Sequence, residues 1–427
     1  MLLKSIYKIG TKKRNPSLDS YFLFLKKSDF WSKEELLDYQ LEKCKSFLEF
    51  AGTHSLFYNK LFKEIKFDPS SLKDLNELKK IPTFSKKELI ENRDNIQSSY
   101  PFKKLIQSES SGTSGQSLSF LKNEEWDSHN RAAMFRGYSW HGVNPWDKNG
   151  YLWGYNINPR KALKIKILDK LQNRFRLFSY SEDDIKQFVS KLKGAKFLHG
   201  YSSMLYEISK TINNLDLKVD HNLKMIKGTS EKVYDSYQGE VQKAFNLNII
   251  NEYGAAESGI IAFECTGGNM HIASENVIVE EENGEILITN LLSKSFPIIR
   301  YKLGDSIELE DPAFKCPCGR SHPIIKSVLG RVGKNIVGNT NKFPSLSFYY
   351  VFKNLSLNHD ILLNYQAKQD KKGHVLLNIE QDQPGAKPYI EQELKKYFNN
   401  DIIFDINFGV TLHTKEGKLK DFITTID

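Results

Sequence analysis

The stretch SESSGTSGQSLSF, residues 108–120, places two glycines and a run of hydroxyl side chains between two short apolar runs. Glycine permits positive φ angles and close backbone approach, and successive N–H groups with nearby hydroxyls form phosphate-binding nests. A Walker A loop is excluded, because Gly112 and Gly115 are only three positions apart and no lysine follows before Lys122. The flanking runs predict two strands joined by this loop. Taken alone, an ordinary hairpin turn explains the stretch equally well.

Length and composition indicate a globular protein of two or three domains, with 427 residues, 40% hydrophobic and 26% charged. No apolar run approaches about 18 residues, and the start MLLKSIYKIGTKKRN lacks a signal-peptide core, so we expect a cytoplasmic protein without a transmembrane segment. The net charge of +9 comes from scattered lysines, without arginine-rich runs or zinc-finger spacing, which argues against nucleic acid as a partner. Anionic substrates such as nucleotides or coenzyme A, or an acidic membrane face, remain open.

The sequence pattern that indicates secondary structure changes near residue 100 and again near residue 270. Residues 1–100 predict helices, with capping boxes at Ser32–Glu35 and Ser85–Glu88. Residues 101–270 alternate apolar runs with helical stretches, which is typical of an α/β fold with largely parallel strands. Residues 271–330 are strand-rich, with a hairpin around Asn283-Gly284. We place a domain boundary at Gly330–Lys334, so the prediction is a large N-terminal domain, 1–330, and a small α+β domain, 331–427.

Four cysteines in a chain of this length do not predict a disulfide framework. Cys44 shares one predicted helical face with Leu37, Leu41 and Leu48, so we expect it in the core. The other three cysteines, Cys265, Cys316 and Cys318, do not lie on a predicted helical face.

Four further motifs follow the glycine loop: NEYGAAESG (251–259), IIRYKLGDSIEL (298–309), GRVGKNIVG (330–338) and HTKEGKLKDF (413–422). Their order and separation resemble the adenylate-forming superfamily of acyl-CoA synthetases, in particular its phenylacetate–CoA ligase branch with the capsular-polysaccharide relatives. The resemblance implies a mobile C-terminal lid domain. It also implies Mg-ATP-dependent activation of a carboxylic acid to an acyl-adenylate, then acyl transfer to coenzyme A. Transfer to an amine such as an amino sugar, or to a carrier protein, is the alternative acceptor reaction.

The resemblance also implies roles for individual residues. Glu257 would bind magnesium, Asp305 the ribose hydroxyls, and Lys418 would bridge the attacking carboxylate and the α-phosphate. Gly333 and Lys334 would form the hinge between the domains. The remaining nucleotide-binding positions are Ser110, Ser111, Gly112, Thr113, Ser114, Gly115, Gly228, Thr229, Ser230, Glu231, Tyr253, Gly254 and Arg331, and the acyl-pocket positions are Tyr138, His141, Gly200, Tyr201 and Gly228.

Four positions depart from the pattern of the family. Ala256 replaces a Thr or Ser whose hydroxyl would donate to the α-phosphate. Lys302 and Leu303 replace a common Arg and Thr, and Gly333 replaces the usual hinge Asp. Loss of one charge-assisted hydrogen bond at Ala256 removes about 1.5–3 kcal/mol of stabilisation. These departures motivate a third hypothesis, a nucleotide-binding scaffold that has lost turnover.

Cys265 and His271, followed by Cys316 and Cys318 in the segment CPCGR, make a Cys₃His set, which is a known structural zinc combination. Relatives in the phenylacetate–CoA ligase branch carry a similar pattern with a zinc site. His322 is an alternative ligand. Reduced thiols without a metal are the alternative interpretation.

Overall fold

The computed structural model describes residues 2–110, 118–152, 159–177, 182–331, 335–345, 347–412 and 421–426. The N-terminal region is helical, as predicted, and both capping boxes are present, at Ser32–Glu35 and at Ser85–Glu88. None of the helices in these ranges has the length and apolar content that crossing a bilayer requires. The helices of this region are α1 (Leu2–Arg14), α2 (Leu18–Ser28), α3 (Lys33–His54), α4 (Leu56–Glu64), α5 (Lys86–Glu91) and α6 (Arg93–Ile96), with short 3₁₀ helices at Pro69–Ser71 and Leu75–Lys80.

Helix α3 buries most of the face that was predicted. Cys44 is completely buried, as expected, and so is Leu48, but Leu37 is 46% exposed, and its neighbour Leu36 is buried instead. The buried stripe of α3 consists of Leu36, Gln40, Cys44, Phe47, Leu48 and Ala51. At the start of the helix this stripe passes through Gln40, whose amide donates to the carbonyl oxygens of Ser274 and Val277. A pattern based on apolar residues alone cannot include a buried glutamine.

Strands β1 (Leu105–Glu109) and β2 (Ser119–Asn123) form an antiparallel pair on either side of residues 111–117. The flanks of the glycine loop are therefore strands, as the sequence predicted. The loop itself lies outside the described residues.

An 11-stranded sheet forms the centre of the molecule, in the order β10-β11-β12-β13-β9-β8-β7-β6-β5-β3-β4. Its five strands β4-β3-β5-β6-β7 are parallel, and the remaining pairings are antiparallel. The strands are β3 (Asn149–Leu152), β4 (Arg174–Arg176), β5 (Phe197–Tyr201), β6 (Met225–Thr229), β7 (Ile249–Ala255), β8 (Gly259–Glu264), β9 (Met270–Ile272), β10 (Val277–Glu282), β11 (Glu285–Asn290), β12 (Ile298–Leu309) and β13 (Ile324–Arg331). The helices between them are α7 (Glu124–Trp140), α8 (Pro159–Leu171), α9 (Glu182–Ser190), α10 (Ser202–Asn214) and α11 (Asp235–Phe245).

The predicted hairpin at Asn283-Gly284 is confirmed. Strands β10 and β11 pair in antiparallel register, and Asn283 and Gly284 have φ angles of 54° and 79°. Positive φ at both central residues is what a type I′ turn requires.

The antiparallel half of the large sheet curves strongly. Strands β7 and β12 are four positions apart in the sheet order, which in a flat sheet would separate them by about 19 Å. Side chains of the two strands nevertheless meet, because the Tyr253 hydroxyl donates to an Asp305 carboxylate oxygen at 2.8 Å. The sheet therefore curls until these strands face each other, and this curl assembles the candidate site.

A second sheet follows residue 335, in the order β18-β17-β16-β19. Its packing against α12 and α13 buries an apolar cluster that includes Phe348, Leu377 and Phe398. The predicted small α+β unit, with its helices and hairpin, is thus present. Its elements are β14 (Asn335–Val337), β15 (Lys342–Pro344), α12 (Ser347–His359), β16 (Tyr365–Lys371), β17 (His374–Ile379), a 3₁₀ helix at Pro384–Ala386, α13 (Lys387–Phe398), β18 (Ile403–Asn407) and β19 (Phe422–Thr424).

Candidate active site

The carboxyl ends of three adjacent parallel strands bring several predicted residues together. In the register of the sheet, Gly200 of β5 lies beside Gly228 of β6, and Thr229 lies beside Glu252 of β7. Tyr253 follows at once on β7. In open α/β sheets this edge is where ligands bind.

Tyr253 and Asp305, which are 52 residues apart in sequence, are joined by the 2.8 Å hydrogen bond between β7 and β12. The tyrosine hydroxyl donates and the carboxylate accepts, so the bond holds the Asp305 side chain in one orientation. A carboxylate in this position retains lone pairs that suit a vicinal diol.

Glu257 occupies the turn between β7 and β8 and is only 5% exposed. The Tyr301 hydroxyl donates to its carboxylate at 3.0 Å, and the Asn290 side-chain amide donates to its backbone carbonyl at 3.0 Å. Both partners come from the curled antiparallel strands. A buried, oriented carboxylate is a hard oxygen donor of the kind that Mg²⁺ prefers.

Tyr301 and Lys122 belong to this region, although the sequence analysis gave neither of them a role. Tyr301 lies four residues before Asp305 in the motif IIRYKLGD, so its place on the same strand was the available signal. Lys122 of β2 is 9% exposed and lies over the rings of Phe120 and Trp126. Burial lowers the pKa of Lys122 to about 8, although the carboxylates of Asp127 and Glu257 act in the opposite direction.

Glu231 has a structural partner. Its carboxylate accepts from the Ser203 backbone N–H at 3.0 Å and from the Ser203 hydroxyl at 2.6 Å. It thereby satisfies donors at the first turn of α10, where the N-cap residue Tyr201 makes no side-chain cap.

Gly228 and Gly254 are required by close packing. A Cβ at Gly228 would lie 2.5 Å from the Ser202 hydroxyl oxygen, and one at Gly254 would lie 2.3 Å from the carbonyl oxygen of Gly259. These contacts explain both glycines without a ligand.

Other predicted nucleotide positions are described in part or not at all. Ser110 is buried, and its hydroxyl accepts from the Leu118 N–H at 2.9 Å, closing the base of the loop. Ser230 has a φ angle of 66°, and the backbone of Arg331 pairs with Asp305 between β13 and β12. The predicted residues outside the described ranges are Ser111, Gly112, Thr113, Ser114, Gly115, Gly333, Lys334 and Lys418.

A cavity of about 270 Å³ lies between α7 and the face of β3, β5 and β6, and it reaches Thr229 and Glu252 at the strand ends. Two of the predicted acyl-pocket residues, Tyr138 and Gly200, line it. The other three, His141, Tyr201 and Gly228, are not among the described lining residues. His141 lies instead at the end of α7, where its Nε2 is 2.8 Å from the carbonyl oxygen of Glu264.

The wall of this cavity is polar. Lys227 forms a buried ion pair with Glu252, with 2.6 Å between Nζ and Oε2, and lies over the ring of Tyr138. Burial opposes the charge of Lys227, but the Glu252 carboxylate prevails and raises the pKa of Lys227 above its usual value. Burial and the positive charge of Lys227 hold the pKa of His199 well below its usual range, so this imidazole is neutral at pH 7.

Arg174 contributes a cation to the same wall. Its guanidinium stacks 4.3 Å from the Tyr151 ring centre, and its Nε is buried without a hydrogen-bond partner in the described part of the chain. The neighbouring Arg176 binds Asp169 with two nitrogens, at 2.8 and 3.0 Å. In β4, whose sequence is RFR, two arginines alternate with a phenylalanine, and this alternation was the signal in the sequence that both arginines lie on the same side of the strand.

The four predicted metal ligands Cys265, His271, Cys316 and Cys318 come together, with their ligand atoms all within 4.8 Å of one another. The Cys265 and Cys316 sulfurs are 3.7 Å apart, and the Cys318 sulfur is 3.2 Å from His271 Nε2. A tetrahedral zinc with bonds of about 2.3 Å to sulfur and 2.0 Å to nitrogen places such pairs about 3.8 and 3.5 Å apart. The donor set and its spacing therefore fit zinc.

The surroundings of this cluster orient its ligands. His271 Nδ1 lies 3.0 Å from the carbonyl oxygen of His322, an arrangement that leaves Nε2 to face the sulfurs. The His322 imidazole is engaged elsewhere, with its Nε2 3.0 Å from a carboxylate oxygen of the buried Glu275. His322 thus serves the cluster through its backbone, and the alternative of His322 as a ligand is not supported.

The sheet order and the residues at its strand ends define a class: the chain has the fold of the adenylate-forming enzymes. It matches 2-hydroxyisobutyryl-CoA ligase in the postadenylation state with a TM-score of 0.71 and 14% identity, over 93% of this chain and 91% of that one. It matches the AtGH3.15 acyl acid amido synthetase with a TM-score of 0.60 and 11% identity, over 91% and 88%. The resemblance seen in the motifs and the predicted fold class are therefore confirmed at the level of the fold.

In sequence the chain is similar to Protein CapK of Staphylococcus aureus, with 23% identity over 412 residues. The match covers 91% of this chain and 89% of that protein. No protein-family model matches the chain.

Proposed function

We propose that the protein activates a carboxylic acid with Mg-ATP, forming an acyl-adenylate and pyrophosphate, and then transfers the acyl group to a nucleophile. The observation that carries this proposal is the pairing of Tyr253 with Asp305, together with the buried Glu257 in the turn after β7, in a chain with the fold of adenylate-forming enzymes. The fold supplies the framework, and the two oriented carboxylates supply the groups that the reaction needs.

In this proposal each group has one task. The Asp305 carboxylate accepts hydrogen bonds from the ribose hydroxyls, while Tyr253 orients that carboxylate and flanks the adenine. Glu257 holds the magnesium ion, which neutralises charge on the phosphates. Lys418 approaches from the C-terminal unit and stabilises the charge that redistributes as the acid attacks the α-phosphate. The residues 110–115 supply backbone and hydroxyl donors to the departing pyrophosphate, residues 228–231 border the adenine, and residues 331–334 provide the hinge.

We propose that the cavity beside β5 and β6 receives the acid. Its Arg174 guanidinium, Lys227–Glu252 pair and neutral His199 favour an acid whose far end carries hydroxyl or anionic groups over one with a plain aryl or alkyl chain. An apolar acid would offer no acceptor to the Arg174 Nε, which is buried without a hydrogen-bond partner in the described part of the chain.

The first experiment measures pyrophosphate release with Mg-ATP over a panel of hydroxy acids, dicarboxylic acids, aryl acids and short aliphatic acids. Wild type is compared with Lys418→Ala and with the matched control Lys420→Ala, which removes a lysine two positions away. We expect release with a polar acid, reduced at least about 100-fold in Lys418→Ala and retained in Lys420→Ala. Full release in Lys418→Ala would overturn the role of this lysine.

Coenzyme A is the proposed acceptor, and an amine such as an amino sugar, or a carrier-protein thiol, is the alternative. Two comparisons support the amine as the alternative acceptor, and with it a role in surface-polysaccharide synthesis. They are the fold match to an acyl acid amido synthetase and the sequence match to Protein CapK. Treatment of the product with hydroxylamine distinguishes a thioester from an amide, because thioesters react far faster. Recovery of the thioester with the small molecules or with the protein then distinguishes coenzyme A from a carrier protein.

A scaffold without turnover is the remaining candidate, and Ala256, Leu303 and Gly333 are the residues that favour it. It predicts tight ATP binding without pyrophosphate release for any acid in the panel. Binding of ATP measured by calorimetry on the same samples therefore separates an inactive scaffold from a protein that does not bind ATP at all.

We also propose that Cys265, His271, Cys316 and Cys318 hold a structural zinc ion. With four protein ligands no position is left for substrate, so the ion would fix the segment 316–318 to strands β8 and β9 and take no part in the chemistry. ATP and coenzyme A are cytoplasmic substrates, and we place the protein in the cytoplasm for that reason.

A further inference from the structure

Lysines are spread over the whole chain, but two neighbouring helices carry few acidic residues to balance them. Helix α1 carries five basic residues and no acidic one, and α8 carries five basic residues and one acidic residue, Asp169. The net charge of these two helices therefore equals the +9 of the whole chain. The two helices pack against each other, so the charge forms one region.

The outer side of α8 carries aliphatic residues where a globular protein would place polar ones. Leu163, Ile167 and Leu171 follow one another at four-residue spacing, which puts them on one side of the helix, and they are 70%, 54% and 42% exposed. Asp169, by contrast, is buried and binds Arg176. The helix thus turns its acidic residue inward and an aliphatic row outward.

Helix α1 extends this surface. Ile9 is 70% exposed, and the exposed Lys4 and Lys8 lie over the ring of Trp146, each with its Nζ 5.1 Å from the ring centre. Isolated exposed aliphatic residues are ordinary, but a row of them among ten basic residues is not.

We propose that α1 and α8 form a docking surface for a membrane that contains anionic lipid. Lysine and arginine side chains would meet the headgroups while the aliphatic row enters the interface between headgroups and acyl chains. Nucleic acid would use the charge but would leave the aliphatic row exposed. A second copy of the chain would bring two positively charged surfaces together, which is unfavourable.

The test is sedimentation of the full chain with vesicles of phosphatidylcholine alone, or with about one third phosphatidylglycerol, at low and high salt. We expect binding to the anionic vesicles at least about tenfold tighter than to the neutral ones, weakened at high salt because the attraction is screened. Equal binding to both kinds of vesicle, or binding to neither, would overturn the proposal.

Two variants separate the two components of the surface. Leu163→Ser with Ile167→Ser and Leu171→Ser removes the aliphatic row, and Lys164→Gln with Lys166→Gln and Lys170→Gln removes three charges from the same helix. Each should weaken binding to anionic vesicles at least about tenfold. The matched control, Lys60→Gln with Lys63→Gln and Lys79→Gln, removes three exposed lysines from another region and should bind like wild type.

Two further outcomes would replace the membrane with a different partner. Binding to duplex DNA that the lysine variant loses and the serine variant retains would indicate nucleic acid. Self-association in light scattering that only the serine variant abolishes would indicate a second copy. All variants change exposed side chains, so their melting temperatures should match wild type and confirm that the effects are local.

Discussion

At the scale of single residues, the candidate site depends on pairs that are distant in sequence. Tyr253 and Asp305 were both predicted from their motifs, but the bond between them follows only from the curl of the sheet. Tyr301 escaped prediction because a tyrosine in a strand is usually a core residue, and its hydroxyl partner Glu257 lies 44 positions away. Local patterns therefore identify the candidates, whereas the contacts that orient them depend on tertiary structure.

Removing the Tyr253 hydroxyl tests this pairing. Tyr253→Phe loses one hydrogen bond to a carboxylate, an interaction of about 1.5–3 kcal/mol, and should raise the KM for ATP about tenfold or more, because Asp305 is no longer held for the ribose. Asp305→Asn should raise it further. The control is Glu308→Gln, which changes an exposed carboxylate on the same strand. An unchanged KM in Asp305→Asn would contradict the ribose role.

Lys122 gives a prediction about stability and pH. Its pKa of about 8 in the folded protein is below the ordinary 10.5, so below pH 8 the folded state holds a buried charge that the unfolded chain keeps in water. Lys122→Met should therefore raise the free energy of unfolding at pH 7, by up to about 3 kcal/mol. The gain should shrink as the pH rises from 8 towards 10.5. Urea unfolding at pH 7 and pH 10 measures it, with the exposed Lys103→Met as control.

At the scale of elements, the sequence predicted best where the signal is local. The capping boxes that begin α3 and α5, and the hairpin at Asn283-Gly284, rest on residues at most three positions apart, and all are confirmed. The place of Gln40 in the buried face of α3 was not predicted, because its partners are carbonyl groups more than 230 residues away. The positions of helix starts and turns depend on residues close in sequence, whereas the burial of a polar residue depends on the tertiary structure that supplies its partners.

The first turn of α10 is stabilised by a contact between residues distant in sequence, which no local sequence pattern predicts. Glu231 accepts two hydrogen bonds from Ser203, so Glu231→Gln should weaken the first turn of α10 and lower the free energy of unfolding by about 1–2 kcal/mol. Chemical denaturation measures this, with Glu91→Gln, an exposed residue of α5, as the control. A loss of ATP binding at unchanged stability would instead support a direct nucleotide role for Glu231.

At the scale of the whole molecule, polar contacts join the C-terminal unit to the region of α10 and α11. In the described part of the chain, Lys210 pairs with Glu380 at 3.0 Å, and short hydrogen bonds join Tyr234 to Asp421 and Ser236 to Asn364. Polar contacts of this kind suit an interface that opens during a reaction cycle. The lid motion remains a prediction.

The proposed zinc ion should stabilise the molecule as a whole. Metal analysis should find one zinc per chain, and removal with a strong chelator should lower the melting temperature by about 3–4 °C, since a ligand present at 100 times its Kd stabilises by about 2.7 kcal/mol. Cys318→Ser should lose the zinc. The control Cys44→Ala, which alters a thiol buried in the helical region, should retain it.

The cavity and the basic surface share structural elements. Tyr7 of α1 and Gln172, the residue directly after α8, both line the cavity. A chain resting on a bilayer through these helices would hold the cavity proposed for the acid within about one helix diameter, 10–12 Å, of the headgroups. Reactants attached to lipid would then reach the enzyme by diffusion in two dimensions, so turnover would follow their surface density in the membrane rather than their concentration in bulk solution.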